Sequence, residues 1–441
     1  MSKLALLGGD KALAQDYSEF FNWPIVTPEM EQGVLEVLRS GNMSGTDITR
    51  QFERKFAQWQ GTEYALAHNT GTAALLAAMW ACGLGHGDEL ISPSITYWAS
   101  CIQALSLGAS VVFADILPET LNVDPDDLEQ RITERTKAVM VVHYVAMPAD
   151  MDRIMAIARK HGLKVIEDVS HAHGALYKGQ KVGTLGDVAA MSLMSGKSLA
   201  IGEGGILCTN DRTLYERALL WGHYARHGEI ETEELRQAAG LPWGGYKNRM
   251  HQLSSIVGLH QVDKYDKEMA EIDRSMNYFW DQLDGVPGLD SHRPTDPGTT
   301  KGGWYACKGI YKSEELGGLS VSRFCEAVRA EGVGGFSPGC NKALHLHPLM
   351  HTVDIYGVGR PSSIANLPIG VDCRQGPGSL PVSEAVQERV YGIPWFKRFD
   401  KEVIEAHAAA VRKVVEHHAD LLSGDPRTPV EGKLGLSRRR S

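Results

Sequence analysis

The chain predicts an α/β protein, with a large domain on a mainly parallel sheet followed by a smaller C-terminal α+β domain. Three observations carry this. Short apolar runs alternate with helical stretches from about residue 65 to 168, two strand-like runs come after Asp187 without a full helix between them, and a long helical stretch from residue 251 leads into a remainder of different pattern. Repeated strand–helix units bury one stripe of each helix against a sheet face, which gives a parallel sheet covered on both sides.

Residues 1–25 form an N-terminal segment whose apolar stretch is too short, and too soon followed by charge, for a signal peptide. The large domain, 26–262, runs EYALAHN then GTAALLAAMWACGL, DELISPS then YWASCIQALSLGA, SVVFADI then PDDLEQRIT, KAVMVVHY then DMDRIMAIARKHG, and KVIEDV. DVAAMSLM and GGILCTN read as a hairpin or an antiparallel edge, and 211–228 as a helix followed by a loop. The boundary to the small domain, 263–422, falls within the long helix. Residues 335–380, rich in Gly, Pro and His, read as long loops of the kind that are more often functional than idle. Residues 423–441 have loop composition and a basic end, and are expected to be a disordered tail.

Composition narrows the partners. The 45 basic against 54 acidic residues give a net charge of −9, which argues against nucleic acid or an anionic membrane and for a small-molecule substrate. Seven scattered cysteines, Cys82, Cys101, Cys208, Cys307, Cys325, Cys340 and Cys373, never fall in a CxxC pair, so neither a disulfide framework nor a zinc site is indicated. No stretch approaches 18 apolar residues. A reducing, cytoplasmic location is expected, and no metal is assigned.

In parallel sheets ligands gather at the carboxyl ends of the strands, where Asn69 to Thr72, Pro93 to Tyr97, His143 and Asp168 fall on this reading. Gly71 and Thr72 open an alanine-rich helix whose free N–H groups and dipole attract an anion such as phosphate; an ordinary cap by Asn69 or Thr70 is the bland alternative. Ser192 is placed to add a hydroxyl, or is a satisfied strand-end serine. Lys197 closes the glycine-rich turn in MSGKSLAIGEGG, 29 residues after Asp168. An amine able to form an imine, a carboxylate able to keep a pyridine nitrogen protonated and a phosphate cradle together suit pyridoxal 5′-phosphate (PLP). A surface lysine and a helix-capping aspartate are the structural alternatives. Tyr97 and His171 are candidates to cover the two faces of the ring, with Trp98 competing for the place of Tyr97.

GTAALLAAMWACGLGHGDELISPSITYWAS, VVFADILPETLNVDP, KVIEDVSHAHGALYKGQKVGTLGD, MSLMSGKSLAIGEGGILCTND and LPVSEAVQERVYGIPWF resemble the DegT/DnrJ/EryC1/StrS aminotransferases, over roughly residues 20–420. The resemblance implies the fold type I of PLP enzymes with a seven-stranded sheet, a homodimer with sites at the subunit interface, and a keto-sugar or keto-cyclitol substrate. It assigns covalent attachment to Lys197, the ring-nitrogen partner to Asp168, stacking to Tyr97 and His171, and phosphate contacts to Gly71, Thr72 and Ser192. In GGYKNRMHQLSSIVGLHQ, similar to the stretch that crosses the dimer, Lys247 stands where many members carry Asn, and Asn248 competes for the partner's phosphate. Ala146 stands where glycine is usual, which narrows the substrate side.

The resemblance further implies a ping-pong cycle in which glutamate or glutamine gives up its amine and leaves as a 2-oxo acid before the keto-substrate binds. The opening LALLGGDKA and the closing YGIPWFKRFDKEVIEAHAAAVRKV are similar to members acting on inososes. A lysine-retaining dehydratase or synthase on the same scaffold, and a non-catalytic sensor, are the competing readings. His345, His347 and Arg360 in the loop 338–378 are open between substrate contact and structural insertion; two histidines without a carboxylate partner indicate no metal.

Overall fold

The structure, a computed structural model, describes residues 3–434. Helices α1 (Pro28–Ser40) and α2 (Asp47–Gln60) lead into β1 (Tyr64–His68) and α3 (Gly71–Ala81). Then come β2 (Glu89–Pro93), β3 (Ser110–Ala114), α4 (Pro125–Gln130), β4 (Thr136–Val142), α5 (Met151–His161) and β5 (Lys164–Asp168). A short hairpin, β6 (Leu176–Tyr177) and β7 (Gln180–Lys181), precedes β8 (Val188–Ser192), β9 (Gly205–Thr209), α6 (Arg212–Gly222) and α7 (Glu233–Gln237).

Seven of these strands form one sheet in the order β1-β9-β8-β5-β4-β2-β3. Only β9 runs against the others, so the carboxyl ends of the other six strands meet along one edge. Gly205, at the start of β9, joins that edge opposite His68 and Ser192. Strand β9 therefore pairs with β8 as a hairpin would, but it is not an edge: β1 covers its far side. Helix α3 is apolar on nearly every face because it lies buried on this sheet, with Leu75, Ala77, Ala78 and Met79 in the core.

The stretch YWASCIQALSLGA forms two short 3-10 turns, Trp98–Ser100 and Ile102–Leu107, instead of the expected helix. Cys101 interrupts it at φ −145°, and the break leaves Ser100 turned onto Asp168, its Oγ 2.7 Å from Oδ2.

Helix α8 (Gln252–Asp281) bridges two cores: Val262 and Tyr265 pack with the large sheet, and Ile272, Met276, Phe279 and Trp280 with the smaller one. The second sheet is antiparallel, in the order β10 (Leu289–Ser291), β11 (Lys308–Tyr311), β13 (Val390–Gly392), β12 (Ser337–Pro338). Helices α9 (Val321–Ala330) and α11 (Lys401–Glu416) cover it, and α10 (Pro381–Ala385) lies before β13. The N-terminal segment packs on this unit: Leu4 and Leu13 enter its core, and the Glu331 carboxylate accepts from the Ala5 and Ala12 N–H groups at 2.8 Å.

The loop region 335–380 seals the large sheet. Leu344, Met350 and Leu380 join its core, and the Gln375 amide bonds both the N–H and the C=O of Phe113 at 2.7 Å, satisfying the exposed backbone of edge strand β3.

Residues 425–434, within the stretch expected to be disordered, are tied down. Asp425 accepts from the Ser320 N–H at 2.7 Å, Val430 N–H donates to Glu388 at 2.7 Å, and the Lys433 backbone pairs with Cys340 and Lys342. These isolated hydrogen bonds carry no hydrophobic period, which is why composition hides them; 435–441 lie outside the described residues. Among the described residues no helix is long and apolar enough to cross a membrane.

Candidate active site

The strand edge brings the sequence candidates together. Thr70 caps α3, its hydroxyl accepting from the Ala73 N–H at 3.0 Å. The cap leaves the first N–H groups of the helix, those of Gly71 and Thr72, without helical partners. A methyl group on Gly71 would stand 2.6 Å from Ser192 Cα and Cβ, so only glycine lets the helix start and the end of β8 meet. The bland reading of Thr70 and the phosphate reading of Gly71 and Thr72 are thus compatible.

Asp168, at the tip of β5, is held from two directions. Ser100 Oγ donates to Oδ2 at 2.7 Å, and the Ser170 N–H donates to Oδ1 at 3.0 Å. Ser170 in turn accepts from the Ser192 N–H at 2.9 Å, linking the carboxylate to the end of β8 that meets the start of α3.

Lys197 is buried, with its N–H on Met194 O at 2.8 Å and its C=O accepting from the Trp23 indole at 2.9 Å. Its amine lies over the Tyr305 ring, 4.2 Å from the centroid. Burial pulls the lysine down from its ordinary range to about 8, although Asp168 works in the opposite direction. The surface-lysine alternative is excluded. His171, also buried, lies 4.9 Å from the Tyr305 ring, and its Nδ1 accepts from the Val145 N–H at 3.3 Å. Burial, aided by the cation of Lys197 and by His173, keeps its imidazole well below the usual histidine range and therefore neutral.

Tyr97 and Trp98 remain side by side, 39% and 38% exposed with ring centroids 5.0 Å apart, and packing does not choose between them. His143 is occupied elsewhere: its Nε2 bonds the buried Glu167 carboxylate at 2.9 Å and its Nδ1 accepts from the Ala149 N–H. Lys247 is exposed, whereas Asn248 is buried against its own chain, with its C=O accepting from the Asn69 N–H at 2.6 Å. His345 does have a carboxylate partner, Glu384 Oε1 at 3.1 Å, with Ser94 on its other nitrogen; with His347 capping the next turn, the pair is structural. Arg360 donates to Leu367 O at 3.1 Å, within its own loop. Among the described residues no cluster of His, Cys, Asp or Glu suits a metal ion. A cavity of about 250 Å³ among Arg50, Glu53, Arg226 and Glu229 opens at Tyr64, the far end of β1, and takes no part in the site.

Sequence reasoning misses Tyr305, Ser100, Ser170 and Trp23. The signal for Ser170 is present in DVS, two residues past the strand-end aspartate; Tyr305 and Trp23 come from segments without a period that ties them to the sheet.

The residues present fit PLP: a buried amine with a depressed pKa, a hydrogen-bonded carboxylate at a neighbouring strand tip, and a helix start that only glycine can bring against Ser192.

The comparisons agree with this fit. Over residues 24–366 the chain matches the DegT/DnrJ/EryC1/StrS aminotransferase family. It is 33% identical to the L-glutamine:2-deoxy-scyllo-inosose aminotransferase of Streptoalloteichus tenebrarius, covering 90% of this chain and 96% of that one. It is 34% identical to the spore coat polysaccharide biosynthesis protein SpsC of Bacillus subtilis, over 74% of this chain and 84% of that one. The X-ray structure of the aminotransferase from Psychrobacter cryohalolentis superposes with a TM-score of 0.77 at 28% identity, covering 90% of this chain and 99% of that one. The chain therefore belongs to the DegT/DnrJ/EryC1/StrS aminotransferase family and is a PLP-dependent enzyme of the α/β class.

Proposed function

We propose that this enzyme moves the amino group of glutamine, or of glutamate, to a keto-cyclitol of the inosose kind, with Lys197 as the group that holds the cofactor and moves the proton. The observation that carries the reading is the buried Lys197 amine, lowered to about 8 by desolvation and placed over the Tyr305 ring. The inosose preference is supported by the 33% identity, over nearly the whole of both chains, to a 2-deoxy-scyllo-inosose aminotransferase.

PLP, when bound, supplies an electron sink for a carbanion at the amine-bearing carbon. The remaining work falls to this chain. Asp168, oriented by Ser100 and Ser170, keeps the ring nitrogen protonated, and its two hydrogen bonds fix the carboxylate plane before substrate arrives. Gly71, Thr72 and Ser192 hold the phosphate, with Lys247 of a second copy reaching across a homodimer. His171, kept neutral by burial, would cover the ring without adding a competing charge. Lys197, an amine that burial lowers to about 8, would be placed to hold or move a proton, since a general base is most effective with a pKa near neutrality. The cytoplasm is part of the same reading: among the described residues all seven cysteines are free.

The test is incubation of the holoenzyme with glutamine and a panel of keto-cyclitols and nucleotide-linked keto-sugars. Amine product and 2-oxo acid should appear in equal amounts with the inosose. Product without a matching 2-oxo acid would assign a dehydratase or synthase instead, and turnover confined to nucleotide sugars would overturn the cyclitol assignment.

A further inference from the structure

A second buried lysine lies beside the site. Lys301 is wholly buried, and its Nζ donates to His292 Nδ1 and to His292 O, both at 2.9 Å. Because Nδ1 accepts, the proton of the neutral imidazole is on Nε2, which donates to Thr120 O at 3.0 Å in the loop after β3. His292 comes directly after β10 of the small unit, so this relay ties the small unit to the large one. Lys301 Nζ also lies 4.9 Å over the Trp304 ring. Among the described residues no carboxylate pairs with this amine. Burial pulls this amine down to about 7, and holding so polar a group in the interior without a counter-ion is unfavourable, so stability alone gives no account of a lysine here.

The turn immediately after Lys301 supplies one. Gly302 has φ +54°, and a methyl there would meet His173 O at 2.4 Å; one on Gly303 would meet Ser198, the neighbour of Lys197, at 2.3 Å. Trp304 and Ala306 hold φ +52° and +56°, which side-chain-bearing residues keep only when their surroundings enforce it. Tyr305 stands between them, its ring 4.2 Å from Lys197 Nζ and 4.9 Å from His171. Several ties act on this turn: the Trp304 indole donates to Asp273 Oδ1 at 2.7 Å, the Trp395 indole to Gly303 O at 3.1 Å and the Gly303 N–H to His173 O at 3.3 Å, and Lys301, at the head of the turn, reaches back to His292.

We propose that Lys301 is a positioning residue, which through His292 and Thr120 anchors the strained turn 302–306 and so fixes the Tyr305 ring over the Lys197 amine. The inference rests on the proposed role of Lys197.

The test is a double-mutant cycle with Lys301→Met and Tyr305→Leu. It reads two quantities: the rate at which the apo-protein gains the visible absorbance of lysine-bound cofactor on mixing with PLP, and kcat/KM of the holoenzyme. Each single substitution should lower both by about 10- to 100-fold, the usual cost of misplacing a reacting group. In the Tyr305→Leu background Lys301→Met should add nothing, because its effect passes through that ring. Lys301→Gln, which keeps one donor for His292, should fall between wild type and Lys301→Met, and it replaces the methionine variant if that one does not fold. Multiplicative losses in the double variant, or Lys301 variants at wild-type values, would overturn the inference. Absence of visible absorbance in the wild-type protein after PLP addition would instead remove the role of Lys197 itself.

Discussion

Asp168, Ser192 and Gly71 stand on the ends of regular strands and the start of a helix, whereas Val145, Ala146 and Tyr305 stand in turns held at unusual backbone angles. Among the described residues, four of the seven non-glycine positions with positive φ, Val145, Ala146, Trp304 and Ala306, lie in the two turns that face the site. The strand ends supply charge and hydrogen-bond donors at places the sheet fixes without strain. The turns supply position, and need outside ties to do so: Tyr144 OH donates to Asn341 Oδ1 at 2.6 Å, His171 accepts from Val145, and Lys301 bonds His292. Substitutions on the strand ends therefore remove chemistry, while those in the turns misplace it.

The largest effect belongs to Lys197→Ala. Turnover should fall by at least about 10²- to 10⁴-fold, the worth of a positioned proton-transferring group, and the visible absorbance of lysine-bound cofactor should vanish. Turnover near wild type would mean that Lys197 carries none of the chemistry. Asp168→Asn comes next. Cofactor should still bind, because the lysine and the phosphate cradle are intact, but kcat should fall by about 10²- to 10³-fold as the fixed charge is lost. Stopped-flow absorbance with glutamine alone would locate that loss in the first half-reaction.

The strand ends are legible in the sequence, and the turns are not. KVIEDV announces a buried strand ending in a carboxylate, because a short apolar run bounded by charge suits a strand covered on both faces, and HNTGTAALLAAMWACGL a capped helix, because capping residues precede a long alanine-rich run. Lys197 is legible through its composition: an amine in a nearly uncharged stretch beside GEGG. Tyr305 has no such signal. Its turn is set by the bond of Lys301 to His292 and by the close approach of Gly302 and Gly303 to His173 and Ser198, contacts that belong to tertiary packing alone. The same holds for 425–434, which is docked by single hydrogen bonds to distant residues and by Val430 against the small-domain core. Position 146 lies between these cases: its alanine is visible in the sequence, but the reason glycine suits that place is its φ of +70°.

A third substitution tests whether the strand ends are as rigid as they are regular. Gly71→Ala would force a methyl to 2.6 Å from Ser192 Cα, a backbone atom that cannot rotate away. A cost of about 1–3 kcal/mol in stability is expected, as for other overpacked sites, with weaker PLP retention on dialysis. A variant that kept both stability and cofactor would mean that the helix start and β8 can part without consequence.

Two buried alanines separate a regular element from a strained turn. Ala77 lies in the interior of α3 and Ala146 in the turn after β4, and both are fully buried. Replacing Ala77 by glycine loses about 1 kcal/mol of helix propensity and about 0.8 kcal/mol for the buried methyl. At Ala146 the same methyl is lost, and glycine's chain entropy opposes folding by about 0.5–1 kcal/mol. Against this, glycine relieves a left-handed conformation that costs an L-residue about 1–2 kcal/mol. The terms nearly cancel, so Ala146→Gly should leave the denaturant midpoint almost unchanged while Ala77→Gly lowers it clearly. Equal losses at the two positions would mean that the turn holds its angle without strain, and the contrast between strand ends and turns would then rest on Tyr305 and its lysine tie alone.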